Sequence, residues 1–303
     1  MTKTDRFSKF LLPAGFLPPL APLSVFQYYE DLRSGKYSHT SQIASGFEYN
    51  FMVRQDPEIV NSSPIGRKIV GVHGPWTQMS RSPKLEWRIL SKLVFRPEVD
   101  RNLFASATKT IDFARAIGAK YIVLHSVDLD PNNPEEFFSD VTAFAKKARI
   151  SVFLEPDLKT KNGPPWVYNH LALYEKFRHP IVFDSATAEI NGENLLEEWE
   201  KVKNVVGHIH LNEYQPNISM DMGVLRSPRY AKLLTQIQSA KYDGYFNFEI
   251  GPAQNVTDKI ITAGYAGFSL AGLNKLFPII PELYARKAQK NLYESVVFAQ
   301  KYL

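Results

Sequence analysis

At 303 residues, with 44% hydrophobic and 22% charged residues, the chain can bury a sizeable core and is too balanced for extended disorder. Its formal net charge of +5 is mild for that length, and its Lys and Arg are scattered rather than striped, which argues against a nucleic-acid partner. The lack of cysteine excludes disulfides and thiolate ligands, so any metal ion must sit on carboxylates and imidazoles.

The N-terminal stretch from Phe7 to Leu23 is apolar, but Pro13, Pro18, Pro19 and Pro22 interrupt it, so it suits neither a signal-peptide core nor a spanning helix. No other apolar run approaches the roughly 20 residues that cross a bilayer. The expectation is a cytoplasmic protein without a membrane partner. Residues 10–12 make a poor first strand, ending at Pro13. An amphipathic stretch at 23–32 predicts a helix, and residues 45–51 predict a second strand.

From Lys68 onward the pattern is regular. Strand-like runs fall at residues 69–73, 121–125, 150–154, 181–183, 205–210 and 245–250, all short and rich in β-branched or aromatic types, as strands buried on both faces are. Helical spacing fills the intervals. Leu103, Ala107, Ile111, Ala114 and Ile117 recur at three- and four-residue steps before Gly118 stops them. Phe137, Val141 and Phe144 do the same, as do Leu195, Leu196, Trp199 and Val202, and then Tyr230, Leu233, Leu234 and Ile237. Strand and helix in strict alternation predict an α/β fold, a single (β/α)8 TIM barrel spanning 1–303, with extra C-terminal helices of which the last runs from about 281 to 303. Those helices suit packing on their own barrel or on a second subunit of a homo-oligomer.

The polar residues fall where such a barrel places its chemistry, at the carboxyl ends of the strands. His73, His125, Glu155, Asp184, His210 and Glu249 end successive runs, and three of the chain's seven histidines are among them. A lone carboxylate after a strand is commonly a helix N-cap, and a lone His a hydrogen-bonded rim residue. Six in succession are not independent accidents, because a carboxylate ending an apolar run is costly unless it is paired or binds a metal. Residues two apart in a strand share a face. If His210 and Glu249 face the barrel axis, His208 and Asn247 lie one layer beneath them, with His208 supporting the site rather than joining it.

The runs Val72-His-Gly-Pro-Trp76, Val123-Leu-His-Ser126, Phe153-Leu-Glu-Pro156, Val182-Phe-Asp-Ser185, Gly207-His-Ile-His-Leu-Asn212 and Gly244-Tyr-Phe-Asn-Phe-Glu-Ile250 resemble, in order, the xylose isomerase-like TIM-barrel superfamily. The resemblance covers about Lys68 to Pro252. It implies four ligands, Glu155, Asp184, His210 and Glu249, to one divalent ion (Mn²⁺, Zn²⁺, Mg²⁺ or Co²⁺). It also implies that Glu155 and Glu249 move the proton. The activity implied is isomerisation or epimerisation of a sugar, or of a sugar-like polyol or keto acid, through a metal-stabilised enediolate. A lyase or dehydratase of the same superfamily begins with the same deprotonation. Endonuclease IV-type nucleases also share the fold, but they have a His where this chain has Thr187 and an Asp-x-His pair where it has Asn217 and Ser219, so two of their metal positions would lose ligands. The epimerases also use a His at the Thr187 position, near the substrate. A barrel that only binds a ligand is the remaining alternative. His73, His125 and Arg226 are expected to contact substrate oxygens, and Trp76 to wall the site, against a small-molecule substrate.

Overall fold

The structure, a computed structural model, describes residues 9–14, 30, 33–34, 44–50, 56–74, 103–130, 132–157, 169–214, 223–250 and 290–303. Eight parallel strands pair in chain order and close on themselves: β1 (Phe10–Ala14), β2 (Gly46–Asn50), β3 (Ile69–His73), β4 (Tyr121–His125), β5 (Ser151–Glu155), β6 (Ile181–Asp184), β7 (Val206–Leu211) and β8 (Tyr245–Phe248). Closure is made by β1 and β8, with Phe10 opposite Phe246 and Leu11 opposite Asn247. The expected (β/α)8 barrel is therefore present.

Among the described residues the helices are α1 (Pro57–Ser62), α2 (Leu103–Ala116), α3 (Pro134–Ala148), α4 (His170–Phe177), α5 (Ser185–Ile190), α6 (Leu195–Val202), α7 (Pro228–Ser239) and a C-terminal helical segment at 290–299. Their ends follow local chemistry. Helix α3 starts with a proline and two glutamates, finishes with Lys146 and Lys147, and closes on Arg149 at φ 60. Asn194 caps α6 by accepting from the backbone N–H groups of Leu196 and Glu197. The segment at 290–299 buries Leu292, Val296 and Ala299 in the main core, and Ser295 Oγ accepts the Leu225 N–H at 3.1 Å, so it packs on its own barrel.

Period-two alternation sorts each strand into two faces. Ile122 and Leu124, Val152 and Leu154, Ile181 and Phe183, Ile209 and Leu211, and Phe246 and Phe248 pack outward into the core shared with the helices. There Phe183 meets the edge of Trp199 from α6, with ring centroids 5.3 Å apart. Leu11, Tyr121, Val123 and Val182 form a separate interior cluster with Val70, Phe153 and Tyr245 packed against it. Gly71 makes room for one member: a Cβ there would lie 2.1 Å from the Tyr121 ring.

Strand limits differ from expectation in instructive ways. β1 continues through Pro13 to Ala14. Its pairing with β8 ends at Leu11, so a residue lacking an N–H costs that ladder nothing beyond that point. β5 and β6 each extend one residue further to include Glu155 and Asp184, whereas Glu249 sits just past the end of β8. The helix expected at 23–32 lies mostly outside the described residues, as does the start of the one expected from 281. Among the described residues no helix is long and apolar enough to cross a membrane.

Candidate active site

On five of the strands an inward-facing residue low in the barrel is followed two positions later by a metal-competent one. Val123 is followed by His125, Phe153 by Glu155, Val182 by Asp184, His208 by His210 and Asn247 by Glu249. The outcome is a convergence. Glu155, Asp184, His210 and Glu249 are all buried, and each offers one ligand atom within 4.8 Å of the other three. His210 Nδ1 lies 2.8 Å from Glu155 Oε1, 3.5 Å from Glu249 Oε1 and 4.0 Å from Asp184 Oδ2.

Asp184 divides its two oxygens between two tasks. Oδ1 accepts the Thr187 N–H at 2.6 Å and caps α5, while Oδ2 accepts from the Asn212 amide at 3.3 Å and faces His210. The cap and the site are thus served by the same side chain. Its backbone N–H donates to Nε2 of the fully buried His170 at 3.1 Å, which fixes the strand end from outside the barrel. Thr187 is buried in the first turn of α5.

His73 and His125 come to the same place. His73 Nε2 is 2.9 Å from Glu155 Oε2 and 3.8 Å from Glu249 Oε1. His125 Nδ1 is 3.6 Å from Glu155 Oε2 and 3.5 Å from Asp157 Oδ1. His73, His125 and Glu155 form a second group able to hold a cation, overlapping the first through Glu155. His208 lies beneath, as parity requires, its ring 4.8 Å from that of His210 and edge-on to it.

Arg226 is exposed; its backbone N–H donates to Glu213 Oε2 at 2.8 Å. Trp76, Asn217 and Ser219 lie outside the described residues. Two buried acids escaped sequence reasoning. Asp157 follows Glu155 by two positions and accepts from Ser126 Oγ and the Val127 N–H. Glu48 stands on β2 below His210. Its signal was an acid flanked by Phe47 and Tyr49, both outward, which puts the acid on the inner face.

The electrostatics separate the two glutamates. Burial opposes the ionisation of Glu155, but the charge of His210, helped by that of His73, outweighs it and holds the carboxyl well below the usual range. Burial pushes Glu249 up to about 8, an effect that His210 only partly offsets. Burial, reinforced by Glu155, also raises Asp184. Burial disfavours charged His73, yet attraction to Glu155 moves it up to about 9, whereas burial takes His125 down to about 3. One carboxylate is therefore charged beside another that keeps its proton at neutral pH. The donor set fits a divalent cation: three buried carboxylates and one imidazole converge, and the carboxyls are forced toward protonation unless positive charge compensates them. Oxygen and nitrogen donors of this kind suit Mn²⁺, Mg²⁺, Co²⁺ or Zn²⁺.

No protein-family model matches the sequence, and no curated protein matches it. Solved structures do share its shape. An AP endonuclease of family 2 from Brucella melitensis is 18% identical and aligns over 86% of this chain and 98% of its own, with a TM-score of 0.55. A D-allulose 3-epimerase from Methylomonas sp., solved with D-allulose, is 11% identical over 98% of each chain, with a TM-score of 0.60. A xylose isomerase domain protein from Planctomyces limnophilus is 16% identical over 90% of this chain and 98% of its own, with a TM-score of 0.52. At these identities the likeness is one of fold.

Proposed function

We propose that the chain is a divalent-metal-dependent isomerase or epimerase acting on a sugar or a sugar-like polyol or keto acid. The observation that carries this reading is the buried convergence of Glu155, Asp184, His210 and Glu249 at the carboxyl ends of the strands. In it, Asp184 and His210 serve as ligands, and Glu155 and Glu249 serve both as ligands and as the groups that move the proton. The ion, when bound, polarises a substrate carbonyl and stabilises the negative charge that develops as the adjacent carbon loses its proton. Glu155, held ionised by its histidine neighbours, is suited to take that proton. Glu249, which reaches the same point from just past the end of β8, is suited to return one from a different direction. His73 and His125 flank Glu155, which suits them to contact substrate oxygens. The epimerases among the solved neighbours, one in complex with D-allulose and one with D-tagatose, support the substrate class.

The test pairs metal analysis of the purified chain with NMR in D₂O of candidate ketoses. About one divalent ion per chain and exchange of a carbon-bound proton are expected. No ion after incubation with Mn²⁺ or Zn²⁺ sinks the reading and leaves a barrel that only binds. A second reading, an abasic-site nuclease, draws on the His73, His125 and Glu155 group, which offers a neighbouring cation position. It requires two or three zinc ions per chain and cutting of abasic duplex DNA.

A further inference from the structure

Glu48 is a buried acid of the barrel interior, and both of its oxygens are occupied. Oε2 accepts the Tyr121 hydroxyl at 2.7 Å and lies 2.7 Å from His208 Nε2. Oε1 accepts the Asn247 amide at 2.8 Å and lies 3.1 Å from His210 Nε2. Its partners come from β4, β7 and β8, while Glu48 itself comes from β2. A carboxylate so placed is expensive, because well-packed apolar residues of the same volume serve a barrel interior at least as well. What sets this one apart is the residue above it. His210 presents Nδ1 to Glu155, Glu249 and Asp184, and presents Nε2 to Glu48. An imidazole that gives a lone pair to a cation through one nitrogen carries its proton on the other, and that N–H needs an acceptor to fix the ring.

We propose that Glu48 is a positioning residue: clamped by Tyr121, His208 and Asn247, it receives the Nε2–H of His210 and so aims His210 Nδ1 at the cation. The inference rests on the metal-site reading above and assigns to β2 a part in it that the strand-end residues do not reveal. It also gives His208 and Asn247 a purpose. They hold the acceptor rather than the ion. Tyr121 reaches Glu48 because Gly71 leaves its ring the space.

The test uses the full chain as wild type, Glu48→Gln and Tyr121→Phe. Each is titrated with Mn²⁺ by calorimetry, and histidine-labelled protein loaded with Zn²⁺ is examined by proton–nitrogen NMR. Glu48→Gln is expected to weaken Mn²⁺ binding by about 10- to 100-fold with an unchanged far-UV circular dichroism spectrum. Tyr121→Phe keeps the carboxylate but removes one of its holds, and weakens binding less, in the same direction. In the Zn²⁺-loaded wild type the His210 proton resides on Nε2, and its resonance shifts in Glu48→Gln. Unchanged Mn²⁺ affinity in folded Glu48→Gln, or a His210 proton on Nδ1, overturns the positioning role and leaves the metal site standing. If Glu48→Gln does not fold, Tyr121→Phe decides, and unchanged affinity there overturns the role. A wild-type chain that takes up neither Mn²⁺ nor Zn²⁺ overturns the metal reading and this inference together.

Discussion

His210 Nδ1 and Glu155 Oε1, 2.8 Å apart, join β7 to β5 across the strand that separates them. In this arrangement a proton occupies the line along which a cation would bind. Burial disfavours charge on His210, but Glu249, Glu155 and Glu48 together hold its pKa well above the usual histidine range.

Metal uptake should therefore release protons. The cation displaces the proton of His210, and also that of Glu249, which is pushed up to about 8 by burial. Because binding requires deprotonation, affinity for Mn²⁺ should rise with pH from 6 toward about 8, the value at which Glu249 loses its proton. Calorimetry in two buffers of different ionisation enthalpy measures the release. Identical apparent heats in both would count against the proposed ligand set.

Glu155→Gln and Glu249→Gln should each slow substrate proton exchange by about 10²- to 10⁴-fold, the usual range for a lost acid or base. Both should also weaken Mn²⁺ binding. A variant that keeps full exchange activity removes its glutamate from the mechanism. The comparison is read by NMR in D₂O beside the wild type.

Gly71→Ala should destabilise the fold by about 1–3 kcal/mol, the range for overpacking a filled interior. The added carbon meets the Tyr121 ring at 2.1 Å, and that ring is held at its far end by Glu48. Urea unfolding measures the cost. A midpoint equal to wild type would mean that the interior has slack the packing does not show.

His179 supplies a pH dependence away from the candidate site. Burial lowers its pKa, and its Nε2–H donates to the Val152 carbonyl at 2.8 Å, so the folded chain keeps it neutral. The unfolded chain binds that proton at about pH 6.5. Between the folded and unfolded values the unfolded state carries more protons, so stability falls as pH drops below about 6.5. His179→Gln should flatten that decline relative to wild type in urea midpoints taken at pH 5 and pH 7. Parallel declines would show that His179 titrates alike in both states.

The six strands from 69 to 250 were legible because strands covered on both faces read as unbroken apolar runs, and their polar last residues stood out against them. β1 was harder to see. Pro13 looks like a terminator, and only the one-sided pairing beyond Leu11 shows why the strand tolerates it. Asp184 was ambiguous in sequence for a sound reason: it is an N-cap and a member of the converging set at once. Glu48 was missed because a single acid in a short run reads as a residue facing water. Its inward direction follows from Phe47 and Tyr49 packing outward, and its partners lie on strands some 73 to 199 positions away in the chain.

Alternation of this kind also guards assembly. Slipping β7 by one residue would turn His208 and His210 into the oily layer beneath the helices and bring Ile209 and Leu211 to face Glu48 and Glu155. Such a misthreaded barrel takes the β7 imidazoles away from two buried acids, so the residues proposed to do the chemistry also act as a proofreading mark, penalising a closure of the sheet other than the one that builds the site.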